Sequence, residues 1–160
     1  MIAIYPGTFD PITKGHLDLI QRGSRLFEKL IVSVGINTSK KPMFNTEERI
    51  QLIQNLVHDI PNVEVVSFEG LVVDHAHSVG AKAILRGIRT FSDFEYEFQM
   101  ALTNRSISTD IETVFVMPSL AYSFISSHLI KEILLLGGNI SQFVPPSVES
   151  AMREKLKQVK

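Results

Sequence analysis

Five short apolar runs, separated by stretches with helical spacing, limit the fold of this chain more than any other feature. Ile2–Tyr5, Leu30–Ile36, Val63–Phe68, Ala83–Leu85 and Thr113–Met117 read as strands. Between them lie a helix from about Gly15 to Glu28, with Leu17, Ile20 and Phe27 turned inward, and one opened by Asn45 and Glu48 as a capping box, with Ile50, Ile53 and Val57 at helical spacing. Leu71–Val79 reads as a short helix ending near Gly80, and the pair Ser92 and Glu95 as the start of a helix reaching about Asn104. A helix from about Ser127 stops at Gly137-Gly138, and Pro145-Pro146 introduces a last one carrying Val148, Met152 and Leu156. Strands that alternate with helices are joined by crossovers, so they lie parallel in a doubly wound five-stranded sheet with helices on both faces. Leu30–Ile36 is mostly apolar, as a strand covered on both faces requires. No repeat, low-complexity tract or linker interrupts the pattern, so residues 1–160 are expected to form a single domain.

Composition narrows the partners. A net charge of −1 gives no long-range pull toward nucleic acid or a membrane surface, and neither is expected as a partner. The chain has no cysteine, which removes disulfides, thiolate catalysis and cysteine-ligated metals and is compatible with a reducing compartment. The N-terminus lacks the basic segment and long apolar run of a signal peptide, and uninterrupted apolar stretches such as Ile133 to Leu136 are too short to span a bilayer.

In a doubly wound sheet ligands bind beyond the carboxyl ends of the strands. Four such segments carry unusual chemistry. After the first strand, Tyr5-Pro-Gly-Thr-Phe-Asp-Pro-Ile-Thr-Lys-Gly-His16 places two glycines, two prolines, the hydroxyl of Thr8 and the imidazole of His16 at a helix start, where N–H groups and the helix dipole favour an anion. It contains neither a Walker A loop nor a GxGxxG. After the second strand, Lys40 and Lys41 are either solvated surface charge or a mobile cation for a phosphate. After the fourth, Arg86 and Arg89 flank Gly87; their forks suit phosphate oxygens, while Asp93, Glu95 and Glu97 could instead neutralise them as ion pairs. After the fifth, Ser126 and Ser127 precede Lys131 by about one turn, either as plain caps or as a phosphate cradle. His75 and His77, two apart on a helix, point to different faces and make a poor zinc pair, so no metal ligands are assigned. Phe91, Phe94, Tyr96 and Phe98 read as core or subunit-contact residues rather than a stacking platform for bases.

Taken together these segments resemble the nucleotidylyltransferase superfamily, with its T/H-x-G-H box as Thr13-Lys-Gly-His16 and its ISSxxx-Lys/Arg box as Ile125-Ser-Ser-His-Leu-Ile-Lys131. Within it the chain is most similar, along its whole length, to the phosphopantetheine adenylyltransferase family: YPGTFDPITKGH, SKKPMF, NVEVVSF, RGIRTFSDFEYE and YSFISS all match. The resemblance implies a Rossmann-like fold, transfer of the adenylyl group of ATP to 4′-phosphopantetheine in coenzyme A synthesis, magnesium as cofactor, and a cytoplasmic homo-hexamer. It also implies roles. His16 contacts the ATP phosphates and stabilises the transition state. Thr8, Lys40, Val72 and Arg86 hold phosphopantetheine. Thr8, Phe9, Gly87, Ile88, Arg89, Glu97 and the run Tyr122, Ser123, Phe124, Ile125, Ser126, Ser127 and His128 line the ATP site. The family usually carries a third Ser or Thr where this chain has His128.

Such a reaction suits these residue types. Two anions must be aligned against their repulsion while charge develops on the α-phosphoryl oxygens, which calls for cations, helix N-termini and one aimed donor. A phosphate with a second pKa of about 6 needs no general base. The rival readings are a sister enzyme using the same boxes on nicotinate mononucleotide or a phosphorylated alcohol, against which Lys40, Val72 and Arg86 argue, and a non-catalytic nucleotide-binding sensor on the same fold.

Overall fold

A computed structural model describes residues 1–36 and 41–159; Lys40 therefore lies outside the described residues. The order is β1 (Ile2–Gly7), α1 (Lys14–Leu26), β2 (Lys29–Gly35), α2 (Thr46–Val57), β3 (Val63–Phe68), α3 (Val72–Ser78), β4 (Ala83–Gly87), α4 (Phe91–Ile107), β5 (Glu112–Val116), a single 3₁₀ turn at Leu120–Tyr122, α5 (Ser127–Leu135) and α6 (Pro146–Val159). All five strands are parallel, in the order β3-β2-β1-β4-β5. The expected doubly wound sheet is present, and its order reverses between β1 and β4.

Side-chain alternation divides the interior in two. Ala3, Tyr5, Leu30, Val32, Val34 and Leu85 face the larger core, which Ile20 of α1, Ile53 of α2, Ile130 of α5 and Met152 of α6 complete. Ile4, Ile31 and Ile84 face the opposite way, against Val73 and Ala76 of α3. Period-two alternation in buried strands thus supplies both helix layers with a partner.

Three local readings change. Thr90, not Ser92, caps α4: its backbone is extended and its hydroxyl accepts the Asp93 N–H at 3.2 Å, which leaves Ser92 already inside the helix. In α1 the buried positions are Leu19, Ile20 and Gly23, while Leu17 and, just past the helix, Phe27 turn inward as expected but are only partly covered. The aromatic run of α4 is not core, since Phe91, Phe94, Tyr96 and Phe98 are between 41% and 88% exposed and Glu97 is the helix's one buried residue.

The split that forms the site is built into β1. It pairs with β2 over six positions, Ile2↔Lys29 to Gly7↔Val34, but with β4 only at Ala3↔Ala83 and Ile4↔Ile84. Pro6 has no N–H for a continued ladder. Its carbonyl instead accepts the Arg86 guanidinium at 2.8 Å, so an arginine occupies the gap where the two strands part.

Candidate active site

The loop after β1 is fixed from inside. A Cβ on Gly7 would lie 2.9 Å from the Phe9 ring, so only glycine lets the ring fold back. Phe9 itself adopts a left-handed φ of 51° and is buried edge-on against Tyr5 and His16, with ring centroids 5.3 and 5.1 Å apart. Asp10 follows, buried, and its carboxylate accepts the N–H groups of Met43 and Phe44 and the Lys131 ammonium, each at 2.9 Å.

Thr13 and His16 then form a reciprocal cap at the start of α1. The Thr13 hydroxyl accepts the His16 N–H at 3.2 Å, and His16 Nδ1 accepts the Thr13 N–H at 3.1 Å. A nitrogen that accepts carries no proton, so the neutral ring bears its hydrogen on Nε2. Burial, followed by the positive charges of Arg89 and Arg86, lowers the His16 pKa to about 4. At neutral pH the imidazole is an uncharged donor of fixed tautomer.

The opposite wall is ionic. Arg86 donates from Nε to Glu97 Oε2 at 2.7 Å and from Nη2 to Oε1, a bidentate pair. Burial opposes the Arg86 charge, but the Glu97 carboxylate outweighs it and raises the pKa. Arg89 pairs with Asp93 at 3.1 Å and donates to the Ile125 carbonyl, which anchors the segment before α5. Of the two alternatives for these arginines the ion pairs are present, to Glu97 and Asp93, and both arginines also border the cleft. Ser126 caps α5, accepting the Leu129 N–H at 3.1 Å, while the Ser127 hydroxyl donates to the Pro11 carbonyl at 2.8 Å and ties α5 to the first loop.

These pieces enclose a cleft of about 680 Å³ at the reversal point of the sheet. Thr8, Phe9 and His16 line it from the first loop, Arg86, Gly87, Arg89 and Glu97 from β4 and α4, and Tyr122, Ile125, Ser126, Ser127 and His128 from the approach to α5. Ile88, Ser123 and Phe124 are not among the lining residues; Phe124 packs edge-on against Phe143 at 6.0 Å. Val72 borders a smaller space of about 80 Å³, with Tyr96, Met100 and Asn104, that shares Pro6, Arg86 and Glu97 with the cleft. Lys41 lines the cleft from the segment that carries Lys40. His128 is largely exposed, 3.5 Å from the Glu132 carboxylate.

The sequence gives no warning of Asp10, whose partners lie 33, 34 and 121 residues away. The Thr13–His16 cap was also hidden, because an imidazole stands where a capping box normally has Glu or Gln. His75 and His77 have separate partners, Ser33 and Ser108, each at 2.8 Å, and among the described residues no three His, Asp or Glu side chains cluster as metal ligands.

The profile of the cytidylyltransferase-like family matches residues 4–133. The phosphopantetheine adenylyltransferase of Caldanaerobacter subterraneus subsp. tengcongensis is 52% identical over 157 residues, covering 98% of each chain. The protein of the same name from Desulfosudis oleivorans is 53% identical over 155 residues, covering 97% of this chain and 92% of its own. A solved structure, a putative nicotinate-nucleotide adenylyltransferase from Vibrio parahaemolyticus, shares the fold with a TM-score of 0.71 at 19% identity, over 94% of this chain and 97% of that one. The chain belongs to the cytidylyltransferase-like family of nucleotidyltransferases. Within it, its full-length relatives at about half identity are phosphopantetheine adenylyltransferases, and this is the family it joins.

Proposed function

We propose that the protein transfers the adenylyl group of ATP to 4′-phosphopantetheine, giving dephospho-coenzyme A and pyrophosphate in coenzyme A biosynthesis, and that it acts as one nucleotidylyltransferase domain. The convergence of a neutral, oriented His16 with Arg86 and Ser127 around one cleft carries this reading. An oxygen of the acceptor phosphate attacks the α-phosphorus in line; the bond to the β-phosphate breaks and its electrons leave with pyrophosphate. His16 Nε2–H donates to the α-phosphoryl oxygens as charge accumulates there. Thr8, Lys40 and Arg86 hold the acceptor phosphate, and the small space beside Val72 takes the pantetheine arm. Phe9, Gly87 to Arg89, Glu97 and the segment Tyr122 to His128 hold ATP. Since the carboxylates bordering the cleft are already bonded to Arg86, Arg89 and Lys131, magnesium fits as an ion carried in on the nucleotide phosphates, where it neutralises charge.

No helix among the described residues is long and apolar enough to cross a membrane. The exposed aromatic side chains of α4 support a contact between copies, while the homo-hexameric number and a cytoplasmic location follow the family. Incubating the purified protein with ATP and, in turn, phosphopantetheine, nicotinate mononucleotide or a phosphorylated alcohol tests the reading by pyrophosphate release. Turnover with phosphopantetheine alone is expected. Turnover with another acceptor instead, or ATP binding without any turnover, overturns it; a monomeric mass by light scattering overturns the assembly.

A further inference from the structure

Arg49, in the first turn of α2, is only 3% exposed. Every hydrogen bond it makes among the described residues goes to a neutral oxygen. Nη1 donates to the Thr8 carbonyl at 2.7 Å and to the Gly35 carbonyl at 3.1 Å, Nη2 to the Thr46 hydroxyl at 3.1 Å and Nε to the Asn45 carbonyl at 3.4 Å. A buried guanidinium with no carboxylate is a costly way to stabilise a fold, and an apolar side chain of similar shape commonly does as well or better. Its partners indicate another use. Thr8 lines the cleft and directly precedes Phe9, whose left-handed backbone turns the chain toward His16. Gly35 ends β2, where the chain departs for Lys41 and Pro42, which also line the cleft. One nitrogen therefore clamps the two places where the chain leaves the sheet on the β1–β2 side of the site. A planar fork anchored at the start of α2, on the Asn45 carbonyl and the Thr46 hydroxyl, can hold both carbonyls; an ammonium has no such fixed geometry.

We propose that Arg49 is a positioning residue that sets the spacing between the Thr8 loop and the Lys41 segment, and so the grip on the acceptor phosphate. This rests on the acceptor assignment made above. The test compares wild type, Arg49→Lys and Arg49→Met by steady-state kinetics with ATP and phosphopantetheine, by thermal unfolding, and by amide hydrogen exchange over residues 7–13 and 35–44 without substrates. Arg49→Lys is expected to raise the acceptor KM roughly tenfold, the effect of one lost charge-assisted hydrogen bond. Arg49→Met is expected to lower kcat/KM on the order of 10²-fold, as small misplacements of reacting groups do, while keeping or raising its unfolding temperature. Exchange is expected to accelerate in both segments of Arg49→Lys. A merely structural role would lower the unfolding temperature and leave KM alone. Should Arg49→Met not fold, Arg49→Lys decides. Wild-type KM in a folded variant, or unchanged exchange in both segments, overturns the proposal. Absence of phosphopantetheine turnover by wild type would overturn the functional reading instead, and the exchange comparison would still decide this one.

Discussion

The two walls of the cleft are made by different physics. On the β1 side two rings that face the cleft are held by neutral hydrogen bonds and aromatic packing: Phe9 against Tyr5 and His16, and His16 against the backbone of Thr13. On the β4 side the groups are charged and held by other charges, Arg86 by Glu97 and Arg89 by Asp93. Hydrogen bonds to the backbone fix direction and do not respond to an arriving anion. Ion pairs can share their donors with one, because a guanidinium has five N–H groups and its carboxylate occupies only some of them. In the proposed reaction the first wall would aim and the second attract.

The severest way to break this contrast is His16→Ala, which removes the aimed donor. Turnover is expected to fall about 10²–10³-fold with the acceptor KM little changed, measured by steady-state pyrophosphate release. Arg86→Ala strikes the attracting wall and should do the opposite, raising the acceptor KM by roughly 10–100-fold through the loss of charge-assisted bonds, with a smaller change for ATP. Thr13→Ala leaves the imidazole but removes half of its cap. A loss of about 1 kcal/mol in unfolding free energy is expected, with kcat only modestly reduced, because the Thr13 N–H that orients the His16 ring is main chain and survives. Titration separates the walls in the wild type. His16 has a folded pKa of about 4 against 6.5 when exposed, so the unfolded chain takes up its proton first. Stability from this residue is then lost as pH falls from about 6.5 to about 4 and changes no further below that, a slope that urea unfolding should detect in wild type and not in His16→Ala. The smallest effect belongs to His128→Ser. The imidazole is exposed at the rim, so restoring the family's usual hydroxyl should alter kcat/KM by less than about twofold; a larger change would show that the imidazole does more for ATP than a hydroxyl can.

What could be read from the sequence follows from how local each signal is. The five strands and their helices were legible because β-branched runs and helical spacing are short-range patterns. The capping box at Asn45 and Glu48 was legible for the same reason, and both of its bonds, at 2.8 Å, are present. Thr90 was misjudged because Ser92 also has an acidic residue three positions on, and only backbone geometry separates the two candidates. For α4 the sequence left two readings open, core or subunit contact, because Phe91, Phe94, Tyr96 and Phe98 have the composition of either and burial depends on what lies across from them. Of the cleft, the groups that would touch substrate stood out as odd residues at strand ends. The groups behind them, Asp10 and Arg49, did not, since each draws its meaning from partners in other segments.

A proline in a central strand has one more effect. With no amide hydrogen at Pro6 and an arginine seated on its carbonyl, the seam between β1 and β4 cannot zip shut when the protein is empty. The cleft beside that seam is thus framed by main chain already in place, and filling it requires no rung of the sheet to break.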